Sequence, residues 1–238
     1  MTAPKYYLAL LLFCLAVLPA SAQQRTVERT FAMDAGEEVR LELKFGNEIT
    51  VRAWDRDEVS FTATVEINGG RLNEALLLDF DEEGEGLRID SRYDNELLRQ
   101  GHRGDCPDRG YTTYNWSDNR EDAWVCSRIS YVVHVPRDAP IIIDTISGDI
   151  LMEGVRGPIE AKSISGFVDL SWPEQQAAQL SLKTISGEAY TDLESLTYLN
   201  RKDRPPLVGY ELKARIGSSG PAVRLESVSG DIFLRRAS

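Results

Sequence analysis

Four copies of one short phrase decide the fold of this chain: Thr145-Ile146-Ser147-Gly148, Ser163-Ile164-Ser165-Gly166, Thr184-Ile185-Ser186-Gly187 and Ser227-Val228-Ser229-Gly230. Their glycines lie 18, 21 and 43 residues apart. Self-similarity at a recurring spacing indicates a repeat architecture, in which each copy is one structural unit stacked on the next. The phrase therefore predicts an all-β scaffold.

A shorter step of nine residues lies inside the first repeat. Nine residues suit one strand of five or six plus a corner, and glycine supplies the corner conformation without steric cost. Two such steps make one coil of about 18 to 21 residues, so we predict a β-solenoid preceded by an N-terminal strand-rich segment. The predicted corner glycines are Gly148, Gly157, Gly166, Gly187 and Gly230.

Two finer expectations follow from the coil. The Ile or Val before the serine of each phrase should point inward and stack on its counterpart in the next coil. One degraded coil should precede the last copy and leave a remnant at residues 216–220. A pair of β-sandwiches is the alternative architecture.

Residues 1–22 have the pattern of a cleaved signal peptide. Lys5 is followed by an apolar run that begins at Tyr6 and ends in the small-x-small triplet Ala20-Ser21-Ala22. The run is about 13 residues long, whereas a membrane-spanning helix needs roughly 20. The segment therefore predicts an exported protein that has no membrane span once the signal is removed.

Residues 23–94 alternate apolar and polar side chains with a period of two, as in Val39, Leu41 and Leu43. This pattern indicates half-buried strands joined by turns. Residues 73–78 fit either one arm of a hairpin or a single helical turn. The repeat region, residues 128–238, should continue the same unit.

Residues 95–127 interrupt the strand rhythm and contain Cys106 and Cys126. An even number of cysteines in an exported chain predicts a disulfide. It would close a loop of about 20 residues and stabilise the fold by about 3 kcal/mol. Loops of this length in compact domains are usually functional or disordered.

The same insertion carries an aromatic cluster that we predict to contact a ligand. Aromatic rings pack against sugar faces and dominate binding hot spots, and a tied loop loses less entropy on binding. The alternative is that the rings cover the open end of the solenoid, where strand edges need protection. The cluster consists of Tyr111, Tyr114, Trp116 and Trp124.

Charge and motif spacing narrow the possible functions. A formal net charge of −11 argues against nucleic acid as a partner, because such binding neutralises phosphates with Lys and Arg. Residues 79–90 imitate the acid spacing of a calcium loop, but Gly86 replaces the apolar residue that such loops carry. No carboxylate pair or Ser-His-Asp set stands out, so we predict no metal, no cofactor and no catalysis.

The repeated phrases have a family resemblance that extends upstream. Residues 44–51, the pair Trp54-Asp55 and residues 131–136 (YVVHVP) accompany them. Together they resemble the bacterial putative-adhesin family of unknown function with β-strand repeats, over about residues 30–236 except the cysteine insertion and the polar stretch 200–206. The resemblance implies a secreted or envelope-exposed β-solenoid without assigned enzyme chemistry.

We therefore expect a non-catalytic binding or structural protein of the periplasm or cell surface. Its partner would be an envelope glycan or another protein. The first alternative is an envelope-stress regulatory or tethering protein. The second is a carbohydrate-active enzyme built on a β-helix.

Overall fold

A computed structural model describes the chain from residue 24 onward, and the predicted signal peptide 1–22 lies outside the described residues. The described ranges are 24–82, 84, 86–106, 112–116, 121–200 and 209–237. Strands dominate them. No helix in these ranges is long and apolar enough to cross a membrane.

The first nine strands come from the N-terminal segment, the insertion and the start of the repeat region. They are β1 (Arg25–Ala32), β2 (Glu38–Leu43), β3 (Phe45–Trp54), β4 (Glu58–Ile67), β5 (Leu76–Asp81), β6 (Gly86–Tyr93), β7 (Thr112–Trp116), β8 (Glu121–Val125) and β9 (Ser127–Pro136). Helix α1 (Asn95–Leu98) and two 3₁₀ turns (Asn73–Ala75, Arg103–Asp105) lie between them. The 3₁₀ turn at Asn73–Ala75 leads directly into β5, so both interpretations of residues 73–78 hold in part.

The repeat region contributes nine further strands. They are β10 (Ile141–Glu153), β11 (Ile159–Ser165), β12 (Val168–Trp172), β13 (Ala178–Thr184), β14 (Ala189–Thr191), β15 (Thr197–Tyr198), β16 (Tyr210–Ile216), β17 (Ala222–Ser227) and β18 (Ile232–Arg236). Sixteen strands form one mixed sheet, and β7 pairs with β8 in a separate hairpin. The prediction of an all-β fold is confirmed.

The sheet divides at the phrase corner of β10, which pairs through its first half with β2 and β11 and through its second half with β3 and β12. We call the two resulting rows of strands the first and second stacks. The first stack runs β5-β6-β2-β10-β11-β17-β13-β16-β15, and the second runs β1-β4-β9-β3-β10-β12-β18-β14. Continuity through β10 joins both stacks into one sheet, unlike a pair of separate sandwiches.

Parallel pairing at a constant register fills the middle of both stacks. Ile141 pairs with Ile159 in the first stack and Ile150 with Val168 in the second, each 18 residues ahead. Antiparallel strands flank this centre: β4 and β5 at one end, and β16 at the other. The sheet is therefore mixed and not closed. The strand pairing shows one large sheet with a parallel centre, but it does not show the regular β-solenoid predicted from the sequence.

The order of the copies differs from their order in the sequence. The last copy, on β17, pairs with β11 on one side and β13 on the other. The expected degraded coil before it is wrong, because the strand ending at Ile216 is β16, which pairs antiparallel with β13. Sequence spacing cannot reveal this, since a strand inserted between two others leaves the spacing of those two unchanged.

One hydrophobic core fills the space between the stacks. Alternate side chains point inward, as in Leu41 and Ile143 of the first stack and Met152 and Leu170 of the second. Burying each such side chain contributes roughly 1.5–3 kcal/mol. The polar tips of buried rings are paired as well: the Trp172 Nε1–H donates to the Gln176 carbonyl at 3.0 Å.

Candidate functional site

The phrase glycines form one column along the corner between the stacks. A Cβ on Gly148 would lie 2.8 Å from the Gly46 carbonyl oxygen, and one on Gly166 would lie 2.2 Å from the Gly148 oxygen. On Gly230 and Gly187 the corresponding distances, to the oxygens of Gly166 and Gly230, are 2.2 and 2.1 Å. These approaches leave no room for a side chain. The glycine column therefore comprises Gly46, Gly148, Gly166, Gly230 and Gly187, in that spatial order.

Gly157 lies at a different corner. A Cβ there would meet the carbonyl oxygens of Asp138 and Ala139 at 2.4 and 2.5 Å. The nine-residue step thus joins two corners of one turn, since Gly157 stands between β10 and β11 and Gly166 between β11 and β12.

The first residue of each phrase is buried, and in three of the four phrases its hydroxyl bonds across to the column, whereas the Thr145 hydroxyl donates to the Ser147 carbonyl of its own phrase at 3.1 Å. The Ser163 hydroxyl donates to the Gly148 carbonyl at 3.1 Å, and the Ser227 hydroxyl donates to that of Gly166 at 2.8 Å. Thr184 makes the same bond to Gly230 at 2.9 Å. These hydroxyls serve the backbone, and each such bond contributes about 1 kcal/mol.

The second residue of the first three phrases points the other way. Ile146 and Ile164 are each 44% exposed, and Ile185 is 37% exposed. The expectation of an inward residue is therefore wrong for the three isoleucines, whereas Val228 in the fourth phrase is half-buried. The chain turns at the corner, so two successive residues lie outside between buried Thr145 and buried Gly148.

The residue after three of the glycines ties neighbouring strands together. The Asn47 side-chain oxygen accepts from the Ile129 N–H at 2.8 Å, and Asp149 accepts from the Phe167 N–H at 3.1 Å. Asp231 does the same for Glu188 at 2.9 Å. The side chains beside the glycines therefore hold the corner together.

A groove of about 370 Å³ lies beside the first part of the column. Its wall includes the Phe45 and Tyr93 rings, stacked with centroids 4.0 Å apart. The remaining lining residues are Gly46, Asn47, Val125, Ser127, Ser147, Gly148, Asp149 and Ser165. Rings, hydroxyls and one carboxylate suit recognition of a polar molecule with an apolar face. We call this space the corner groove.

The insertion reaches the corner groove through a cross-linked segment. Cys106 and Cys126 form the predicted disulfide, with Cα atoms 5.8 Å apart. Buried Asn68, which has a φ of +51°, accepts from the Cys126 N–H at 2.9 Å and donates to the Trp124 carbonyl at 2.8 Å. Its amide also donates to Asp105 at 3.1 Å. We call Asn68, Asp105, Cys106 and Cys126 the disulfide bracket.

Arginine fixes the charge at this bracket. The Arg71 guanidinium hydrogen-bonds to the Asp105 carboxylate, which also accepts from the His102 N–H at 2.8 Å. Chiefly through the Arg71 bond, and against the opposing effect of burial, the pKa of Asp105 falls to about 2. The carboxylate is therefore ionised throughout the physiological range.

Sequence reasoning missed Asn68 and Asp105, although one signal was present. Asn68 opens the run Asn68-Gly69-Gly70, and asparagine tolerates the left-handed conformation that the structure shows at this position. The pattern marks a turn. It does not reveal that the side chain bonds to residues 37 to 58 positions away.

The structure describes the predicted aromatic cluster only in part. Trp124 is half-buried on β8, with the Arg103 guanidinium 5.1 Å from its ring centroid. Tyr114 and Trp116 belong to β7, of which only the backbone is described, and Tyr111 lies outside the described residues. A ligand role for these four residues stays a prediction.

At the two ends of the calcium-like segment, β5 and β6 pair antiparallel, with Asp79 opposite Asp90. Within the described ranges, no group of three or more His, Cys, Asp or Glu residues is placed to hold a metal ion.

Comparison with known proteins places the fold. No protein-family model and no curated protein matches the chain. It is similar to the crystal structure of a putative cell adhesion protein from Clostridium sporogenes, with a TM-score of 0.53 and 9% identity, over 90% of this chain and 100% of that one. The two chains share a fold.

A second crystal structure, of a putative adhesin from Bacteroides fragilis, aligns over 89% of this chain and 97% of that one at 9% identity. Its TM-score of 0.24 is too low to support a common fold.

Proposed function

We propose that this chain is an exported, non-catalytic binding protein of the bacterial cell envelope with an adhesin-like role. Its partner is an envelope glycan or another protein, held in the corner groove. The observation that carries the proposal is the composition of that groove, whose lining combines a stacked pair of rings with hydroxyls and a carboxylate. The fold shared with a putative cell adhesion protein supports the same role.

Two features support export. A disulfide between Cys106 and Cys126 is typical of oxidising compartments outside the cytoplasm. Residues 1–22 also have the composition of a signal peptide.

The parallel centre of the two stacks is best regarded as a short β-solenoid that supports the groove. The 18-residue register and the glycine column favour this interpretation. The inserted last copy makes it a solenoid with permuted turns. Its role is to hold the groove-lining residues at fixed spacing.

Blocking the groove tests the function. Ser165→Arg places a long charged side chain at an exposed groove position, and Ser229→Arg makes the same change at the equivalent position of a phrase that does not line the groove. Each purified protein is incubated with isolated cell envelopes and sedimented. We expect wild type and Ser229→Arg to sediment with the envelopes to the same extent, and a clearly smaller fraction of Ser165→Arg to do so.

Equal sedimentation of both variants would refute the groove as the binding site. Fractionation of native cells checks the location. Recovery of the chain in the cytoplasm with residues 1–22 still attached, and with free thiols at Cys106 and Cys126, would refute export.

A further inference from the structure

A second aromatic surface lies at the far end of the glycine column. Tyr190 on β14 is 46% exposed, and its ring stacks on Phe233 of β18 with centroids 5.4 Å apart and planes inclined by 13°. Nearly parallel rings at this distance are offset-stacked, so one face of Tyr190 lies against Phe233. Strand β14 is the last of the second stack among the described strands, and no described ring packs on the opposite face of Tyr190.

The Tyr190 ring is held in place from two sides. Its hydroxyl donates to the Glu188 carboxylate at 2.7 Å. Phe233 beneath it is supported edge-on by Phe167, with centroids 5.9 Å apart. A ring fixed before binding loses little conformational entropy when a ligand stacks on it. Because Tyr190 is 46% exposed, burial of its ring in the core does not explain this arrangement.

Charges around the ring restrict the ligand. Within the described part of the chain, neither Glu188 nor Asp231 forms an ion pair with a basic side chain. Arg235, whose guanidinium lies 4.7 Å from the Phe233 centroid, is already paired with Asp169 at 2.7 Å. The surface therefore offers hydrogen-bond acceptors and a net negative field, which attracts hydroxyl and ammonium donors and repels acidic groups.

We propose that the open face of Tyr190 binds a sugar ring of a neutral or amino-substituted glycan. The apolar face of the sugar stacks on the tyrosine ring, while Glu188 and Asp231 accept hydrogen bonds from its hydroxyl or ammonium groups. This site is separate from the corner groove: Phe45 precedes the first glycine of the column and Tyr190 follows the last. Four strand steps separate them, roughly 19 Å.

Three oligosaccharide probes test the site by calorimetric titration of the disulfide-intact protein. They are an N-acetylglucosamine tetramer (neutral), a glucosamine tetramer (cationic) and a tetragalacturonate (acidic). We expect one or both of the first two to bind and the acid not to. Tyr190→Ala should weaken binding at least tenfold, whereas Tyr190→Phe keeps the ring and should remain within about threefold of wild type.

Tyr198→Ala is the matched control, because Tyr198 is 37% exposed at the same end of the molecule but belongs to the first stack. It should bind as wild type does. Glu188→Gln, which keeps the shape of the site, should weaken glucosamine binding more than N-acetylglucosamine binding. It provides a second variant if Tyr190→Ala unfolds.

Three results would overturn the inference: no binding of either non-acidic probe, equal losses in Tyr190→Ala and Tyr198→Ala, or tetragalacturonate bound as tightly as the others. None of them affects the groove proposal, which is measured by sedimentation of Ser165→Arg. Conversely, a groove variant that loses envelope binding should keep its affinity for the probes.

Discussion

The glycine column and the disulfide bracket both shape the corner groove, but they do so by different means. The column repeats one contact, in which a glycine lies against the backbone of the neighbouring strand, four times along the corner. The bracket uses single contacts of different kinds: one covalent bond, one buried amide and one ion pair. Repetition fixes the backbone, and single contacts attach an insertion to it.

The two regions should therefore fail differently. Gly166 stands between β11 and β12, which are paired on both sides, so an error there disturbs the shared core. The bracket joins the β7–β8 hairpin to the turn after β4, beside the core. Damage to the column should reduce global stability, whereas damage to the bracket should mainly release the insertion.

The largest effect is expected at the column. In Gly166→Ala the new Cβ would lie 2.2 Å from the Gly148 carbonyl oxygen, so the strands must separate. We expect the free energy of unfolding to fall by about 4 kcal/mol, measured by urea denaturation. Gly104→Ala is the control, because a Cβ there meets nothing within 4 Å, and it should change stability little. Similar losses in both variants would contradict the close-approach explanation.

Removal of the disulfide should have the next largest effect. Cys106 and Cys126 are 20 residues apart, and the chain-entropy estimate for such a loop is about 3 kcal/mol. We expect the double Cys→Ser variant to unfold at lower urea concentration, while hydrogen exchange stays slow in β10 and β11. Exchange that speeds up equally in β10 and in β8 would show that the bracket supports the core as well.

The Asp105 ion pair should contribute less, and its contribution should depend on pH. Because the folded-state pKa of Asp105 is about 2, below the ordinary 3.8, the carboxylate stabilises the fold when ionised. Asp105→Asn should cost about 1–2 kcal/mol at pH 6. The difference from wild type should shrink as the pH falls from about 4 and vanish below about 2.

Asp55→Asn serves as the control for this pH series. Asp55 pairs with Arg137, but its side chain is 85% exposed, so we expect a loss below about 0.5 kcal/mol. A difference between wild type and Asp105→Asn that stays constant from pH 6 to pH 2 would contradict the proposed role of the ionised carboxylate.

The sequence predicts the column better than the bracket, and the reason is physical. A repeated local requirement leaves a repeated local pattern, so the phrase glycines and the serines that bond beside them were visible in one sequence. The bracket depends on Asn68 meeting residues far along the chain, and one such contact leaves no periodic trace. Of the bracket residues, the sequence reveals only the two cysteines, because an even number of cysteines in an exported chain predicts a disulfide without any repeated pattern.

Two other features cannot be predicted from the sequence, and the reasons are related. They are the spatial order of the phrase copies and the surface formed by Tyr190 and Phe233. Any two phrase copies can pair in register, so the position of β17 between β11 and β13 depends on the connections rather than on the phrase. Tyr190 and Phe233 lie 43 residues apart and meet only because of that position. Sequence inspection instead favoured the aromatic residues that cluster in the chain.

The smallest effect is expected at the isoleucines on the outer side of the glycine-column corner, whose side chains the repeat pattern predicts to point inward. Ile164 is 44% exposed, so Ile164→Thr should change the free energy of unfolding by no more than about 0.5 kcal/mol. Val168, four residues later, is fully buried. Val168→Thr should lower the free energy of unfolding by about 1–3 kcal/mol because it buries a hydroxyl. A large loss in Ile164→Thr would mean that the corner is covered by a partner in solution. Measurement at two protein concentrations decides this, since stability that depends on an assembly rises with concentration.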